Sequence, residues 1–173
     1  MPGPLTGIRV LDFTAVVSGP FATMFLADQG ADVLKIEPLA GDSVRRSGAL
    51  VDKAGEFSAL FISSNRGKRS LSIDIKSEAG REVLAKLVAR ADVVVQNFRP
   101  GAMERLGLGP EQLRARDPRL IYVSISGVGD TGPIAQRSAE WRQRLDANDV
   151  PCAPVLRRGE IMQRVGRRAE TDH

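Results

Sequence analysis

The sequence predicts an α/β fold organised on a mainly parallel sheet with flanking helices. Short apolar runs of strand length alternate with amphipathic runs of helix length from residue 8 to residue 125. Capping and stop residues stand where the helices would begin and end. No internal repeat or low-complexity segment breaks the alternation, so repeated βαβ units are the simplest arrangement.

Each element has its own reason. Ile8-Arg9-Val10-Leu11-Asp12-Phe13 reads as a buried first strand. Ser18 is the expected cap of the first helix, with Pro20 in its opening turn and an apolar face of Phe21, Met24, Phe25 and Leu26. Gly30 supplies the stop. Val33-Leu34-Lys35-Ile36 is a second strand, closed by Glu37-Pro38. The polar stretch from Gly41 to Asn65 predicts a loop carrying a short helix. Ser70-Leu71-Ser72-Ile73-Asp74-Ile75 alternates polar and apolar residues with the period of a half-buried strand.

Ser77 is then expected to cap a helix with Ala79, Val83, Leu84, Leu87 and Val88 on its apolar face. Asp92-Val93-Val94-Val95 is another strand, and Asn97-Phe98-Arg99-Pro100-Gly101 its exit loop. Met103 to Leu106 and Glu111 to Arg116 are short helices, the second ended by Asp117-Pro118. Leu120 to Ile125 is the last clear strand, and Gly127 to Pro133 the loop that leaves it. The strand rhythm stops at Pro133.

Composition sets the class. A chain of 173 residues can bury a real core, and 42% hydrophobic with 27% charged content is ordinary for a globular protein. Cys152 is the only cysteine, which precludes an internal disulfide and favours the cytoplasm. The amino-terminal residues lack the pattern of a signal peptide, and no run reaches the ~18 apolar residues of a membrane span. Residues 1–133 hold 17 basic against 15 acidic side chains, and the last 40 residues hold 8 against 6. Five arginines (Arg157, Arg158, Arg164, Arg167, Arg168) crowd near the end. They could attract nucleic acid, but no aromatic residue interleaves with them, and a solvated tail is the favoured reading.

In an open parallel sheet, ligands bind at the carboxyl ends of the strands. Ser18-Gly19 opens a helix whose backbone N–H groups suit an anion. Lys76 lies one residue before a helix cap. Asn97, Phe98 and Arg99 place an amide, a ring and a guanidinium on one loop, with Arg105 in the next turn. Together these fit a nucleotide: cations for phosphates, Phe98 for stacking and Asn97 for a base edge. Each alone also fits a structural role, as a solvated lysine or a phenylalanine covering the sheet. A Gly-x-Gly-x-x-Gly turn after the first strand is missing, which argues against an ordinary dinucleotide site.

The segments Leu5–Thr14, Gly30–Pro38, Asn65–Ser70, Asn97–Gly101 and Gly127–Pro133, in that order and spacing, resemble the class III CoA-transferases. This is the family of formyl-CoA transferase and carnitine CoA-transferase, whose superfamily includes the α-methylacyl-CoA racemases. A second, shorter resemblance runs from Trp141 to Val155. The likeness implies a Rossmann-like large domain that takes acyl-CoA and a carboxylic acid as substrates, with no prosthetic group or metal, and whose full-length members form interlocked homodimers. By position it places CoA contacts on Val17, Ser18, Ile73, Asp74, Ile75, Lys76, Asn97, Phe98, Arg99 and Arg105. Lys76 and Arg105 are the expected partners of the CoA phosphates.

The chain also departs from the pattern. Formyl-CoA transferase has glutamine where Val17 stands and arginine where Pro38 stands, so formyl-CoA is a poor substrate expectation. The family's nucleophilic aspartate lies beyond the loop corresponding to Gly127–Pro133, where only a short stretch beginning Ile134 to Arg137 precedes the second match. Asp146 and Asp149 fall in that later match and take no catalytic role by position, and the only histidine, His173, cannot be matched to the racemase base. No catalytic residue is therefore assigned. The expected organisation is a CoA-binding α/β part at 1–133, a carboxyl-terminal remnant at 134–156 and an arginine-rich tail at 157–173. A racemase relative and a non-enzymatic CoA-binding or interaction remnant are the alternatives to a shortened, inactive CoA-transferase.

Overall fold

The computed structural model describes residues 3–52 and 55–127. Five strands, β1 (Arg9–Asp12), β2 (Asp32–Glu37), β3 (Arg69–Ser72), β4 (Val93–Gln96) and β5 (Ile121–Ser124), form one sheet. Every pairing is parallel, in the order β3-β2-β1-β4-β5. The helices are α1 (Ser18–Asp28), α2 (Ala59–Asn65), α3 (Glu78–Val88), α4 (Ala102–Arg105) and α5 (Pro110–Arg114). The expected α/β class and parallel sheet are both present. The strand order reverses between β1 and β4, where such sheets open a crevice at their carboxyl edge.

Side-chain alternation assigns the two faces. Leu11, Phe13, Ile36 and Val94 pack with Leu84 and Val88 of α3, Met103 of α4 and Leu113 of α5. On the other face Val10, Val33 and Val95 meet Leu26 and Ala27 of α1. The interior strands β1, β2 and β4 are buried and read as near-continuous apolar runs, whereas the edge strands β3 and β5 are largely exposed.

Three local expectations are corrected. Val17, not Ser18, is the N-cap of α1; it makes no side-chain cap bond, and Ser18 is already helical. Phe21 and Phe25 point outward, 47% and 48% exposed, and stack edge-on with centroids 4.9 Å apart. Met24 is buried and Leu26 packs against the sheet as expected, but Gly19, Pro20 and Thr23, not the two phenylalanines, complete the buried side of α1. The reason is close approach: a Cβ on Gly19 would stand 2.4 Å from that of Thr14, so the small-residue side seats against β1. On α3 the buried side is Gly80, Leu84 and Val88, with Val83 exposed at 41%. Here a Cβ on Gly80 would fall 1.9 Å from the Asp74 carbonyl oxygen.

Ser77 caps α3 as expected. Its Oγ accepts from Gly80 N at 3.0 Å and donates to the Asp74 carbonyl at 2.9 Å. Ser77→Ala is expected to lower stability by about 1 kcal/mol, with Ser77→Asp largely sparing it, as read from urea midpoints. Equal midpoints for wild type and Ser77→Ala would remove the cap from the account.

Apart from Gly127, the exit loop to Pro133 lies outside the described residues. So do the 134–156 remnant and the 157–173 tail, with Asp146, Asp149, Cys152 and His173. Among the described residues no helix is long and apolar enough to cross a membrane.

Candidate functional site

A cleft of about 360 Å³ opens at the carboxyl edge of the sheet. Phe13 follows β1, Ile36 to Leu39 end β2, Ile73 to Lys76 follow β3, and Phe98 follows β4; all line it. Most of that lining is apolar, a common character of ligand clefts of this size. Beyond β3 the alternation seen in the sequence persists: Leu71, Ile73 and Ile75 pack against the core while Ser72, Asp74 and Lys76 face outward. The turn is tied by Lys76 N donating to Asp74 Oδ1 at 2.9 Å. Thus Ile73, Asp74, Ile75, Lys76 and Phe98, five of the ten expected contact residues, share one cleft.

The other five sit around it without lining it. Val17 and Ser18 are exposed at the start of α1. Arg99 is exposed beyond Phe98, and Arg105 folds back so that a Cβ at Gly101 would lie 3.1 Å from its Nη1. Asn97 differs from its expected use. Its Oδ1 accepts from Ala15 N at 2.9 Å and its Nδ2 donates to Ala15 O at 2.8 Å, so the amide edge is engaged with backbone. This clamp spans the point where the strand order reverses. Next to it, Val16 takes φ 72, a region that a β-branched residue rarely enters unless its surroundings enforce it.

Sequence reasoning missed a buried ionic layer beneath this edge. Asp12 and Lys35, neighbours in register, share the α1 side of the sheet with Val10 and Val33. Asp12 Oδ2 meets Lys68 Nζ at 2.9 Å and Thr23 Oγ1 at 2.6 Å, and its Oδ1 accepts from Thr14 N and Oγ1. Lys68 Nζ also donates to Pro20 O at 2.8 Å and to Asn65 Oδ1 at 2.9 Å. Lys35 Nζ lies 2.9 Å from Asp42 Oδ2 and donates to Thr14 O at 2.8 Å. Two buried ammonium groups therefore grip carbonyls on either side of the β1–α1 loop, Thr14 O just after β1 and Pro20 O in the first turn of α1. The available signal was a charged residue inside an apolar strand run, which requires a buried partner.

A third carboxylate, Glu37, lines the cleft yet is already engaged. Arg45 donates to its two oxygens at 2.7 and 2.5 Å, and Ser70 Oγ and Asp42 N donate to it as well. Burial alone would raise its pKa, but the Arg45 bonds, Ser70 and the Asp42 amide outweigh that and hold it at about 2. Arg45 is raised by the same bonds, and its guanidinium sits 4.1 Å over the Phe61 ring. Burial lowers the Lys68 pKa, with the Asp12 charge opposing. Among the described residues no cluster of acidic, histidine or cysteine side chains is arranged to hold a metal.

Residues 5–139 match CoA-transferase family III. Succinyl-CoA:mesaconate CoA-transferase of Haloarcula hispanica is 49% identical over 130 residues, covering 74% of this chain and 33% of that protein. Acetyl-CoA:oxalate CoA-transferase of Acetobacter aceti is 46% identical over 79% of this chain and 35% of its own length. Human succinyl-CoA:glutarate CoA-transferase is 45% identical over 78% and 31%. Among solved structures, a CAIB/BAIF family protein from Brucella suis superposes with a TM-score of 0.75 at 45% identity, covering 79% of this chain and 37% of that one. This chain thus spans about a third of the length of the curated relatives it matches.

Proposed function

This chain belongs to CoA-transferase family III, and we propose on that premise that it binds coenzyme A or an acyl-CoA at the carboxyl-edge cleft. The observation that carries the reading is the convergence of Ile73 to Lys76 and Phe98 on one apolar cleft. Phe98, a residue 37% exposed, offers a ring suited to stacking on adenine. Lys76, at the rim, is placed for a phosphate, and Arg105 and Arg99 supply further cations beside the Phe98 loop. The amino end of α1, with Val17 and Ser18, adds backbone N–H groups for the diphosphate.

The reaction proposed for the whole protein is transfer of CoA between an acyl-CoA and a carboxylic acid. For the chain of 173 residues we propose binding without transferase turnover, because the sequence between Pro133 and Trp141 leaves no room for the family's nucleophilic aspartate. A cytoplasmic setting and homodimeric assembly belong to the same proposal; they rest on the single cysteine and on the family resemblance.

Calorimetric titration with CoA tests the binding, and Lys76→Ala should weaken it about tenfold, the loss of one charge-assisted phosphate contact. An unchanged affinity in that variant would move the phosphates elsewhere, and no heat at millimolar CoA would end the reading. For turnover, the protein is incubated with several acyl-CoA donors and acids. Any CoA transfer that a single substitution in this chain abolishes would overturn the inactive assignment.

A further inference from the structure

Phe98 is more than a third exposed, so packing alone does not hold its ring at the cleft. Its backbone is held instead. Gln96, the last residue of β4 and 7% exposed, accepts from Phe98 N through Oε1 at 2.7 Å and donates from Nε2 to Ser124 Oγ at 2.8 Å. Its main-chain oxygen also accepts from Ile125 N at 2.9 Å. The neighbouring amide of Asn97 reaches the opposite way, to both polar groups of Ala15. Two consecutive carboxamides therefore tie the loop to β5 on one side and to the β1–α1 turn on the other. Neither leaves its amide pointing at the cleft.

We propose that Gln96, together with Asn97, is a positioning residue of the cleft: it fixes Phe98 so that a ligand meets a preformed aromatic wall. The inference rests on the reading that CoA occupies this cleft. Its physical content is preorganisation. Ordering a loop residue carries an entropic cost, and a loop already tied by the protein spares the ligand that cost. The Asn97 clamp extends the effect to Val16, Val17 and Ser18, whose backbone follows directly from Ala15.

The test uses the full chain as wild type, Gln96→Leu, Gln96→Glu, Phe98→Ala and the Gln96→Leu/Phe98→Ala double variant. Two quantities are measured: affinity for CoA by calorimetry, and hydrogen exchange of the Phe98 amide without ligand. Gln96→Leu is expected to weaken CoA about tenfold and to speed Phe98 exchange at least tenfold relative to amides elsewhere in β4. Gln96→Glu should restore both, because a carboxylate accepts from the Phe98 N–H and from the Ser124 hydroxyl. In the Phe98→Ala background, Gln96→Leu should cost less than a further twofold in affinity.

A merely structural glutamine behaves differently. Its loss would lower the urea midpoint while Phe98 exchange kept pace with its neighbours, and its effect on affinity would multiply with that of Phe98→Ala; either result overturns the proposal. If Phe98→Ala binds CoA like the wild type, the CoA reading of the cleft fails instead. The ligand-free exchange then still decides whether Gln96 holds Phe98.

Discussion

Lys68→Met should destabilise the protein by about 3–5 kcal/mol, the largest loss expected from a single side chain here. The Lys68 side chain is 2% exposed and that of Asp12 fully buried. Removing the cation leaves a charge with only hydroxyl and amide donors from Thr14 and Thr23 around it. It also releases Pro20 O, at the start of α1, and Asn65 Oδ1, at the end of α2. Domains of this size are commonly stable by only about 5–15 kcal/mol, so the variant stands close to unfolding at room temperature. Urea unfolding measures the loss. Asp12→Asn added to Lys68→Met should recover part of it, since the uncompensated charge is then gone. A Lys68→Met midpoint within error of wild type would mean that the pair contributes nothing net, which measured buried pairs sometimes permit when both members are replaced but not when one is.

That layer also marks where the sequence stopped being legible. Four of the five strands were readable as short apolar runs, for which Val93-Val94-Val95 or Val33 to Ile36 have few other uses, and β3 was readable by its polar–apolar alternation. The Ser77 cap was readable because capping is local, settled within three residues. Asp12 and Lys35 could be recognised as charges inside strands, but not their partners. Lys68 reaches Asp12 across 56 positions of chain, a distance fixed only once β3 has taken its place beside β2.

For the first helix, half of the expected face, Phe21 and Phe25, was misread for a different reason. Its most hydrophobic residues, Phe21 and Phe25, share one side at i, i+4 spacing, so periodicity chose them for the core. Close approach overruled that choice, because only the side carrying Gly19 and Thr23 fits against Thr14 and Asp12. The site was half legible on similar grounds. Ile73 to Lys76 and Phe98 are brought together by strand ends, which topology predicts. The reach of the Asn97 amide to Ala15, 82 positions away, depends on the pairing of β1 with β4 in register.

Acid should expose the Glu37–Arg45 pair. The carboxyl is held at about 2 in the folded protein against an ordinary 4.5. A depressed carboxyl stabilises the fold at pH values above its unfolded pKa, and that stability drains away as pH falls from about 4.5 toward 2. The full shift corresponds to about 3 kcal/mol, of which about 2 kcal/mol is lost by pH 3. Glu37 is 2% exposed, so solvent screens little of this, although the Arg45 side chain is 24% exposed. Glu37→Gln keeps the shape and removes the titration. Its stability should be lower than wild type at pH 7, where Arg45 loses its ion partner, yet should fall less steeply between pH 6 and pH 3. Parallel acid limbs for the two proteins would mean that other carboxylates govern acid unfolding. Convergence of the two curves only as pH falls toward 2 would place the proton on Glu37, at the seam between the cleft wall and the 41–47 loop that covers the ionic layer.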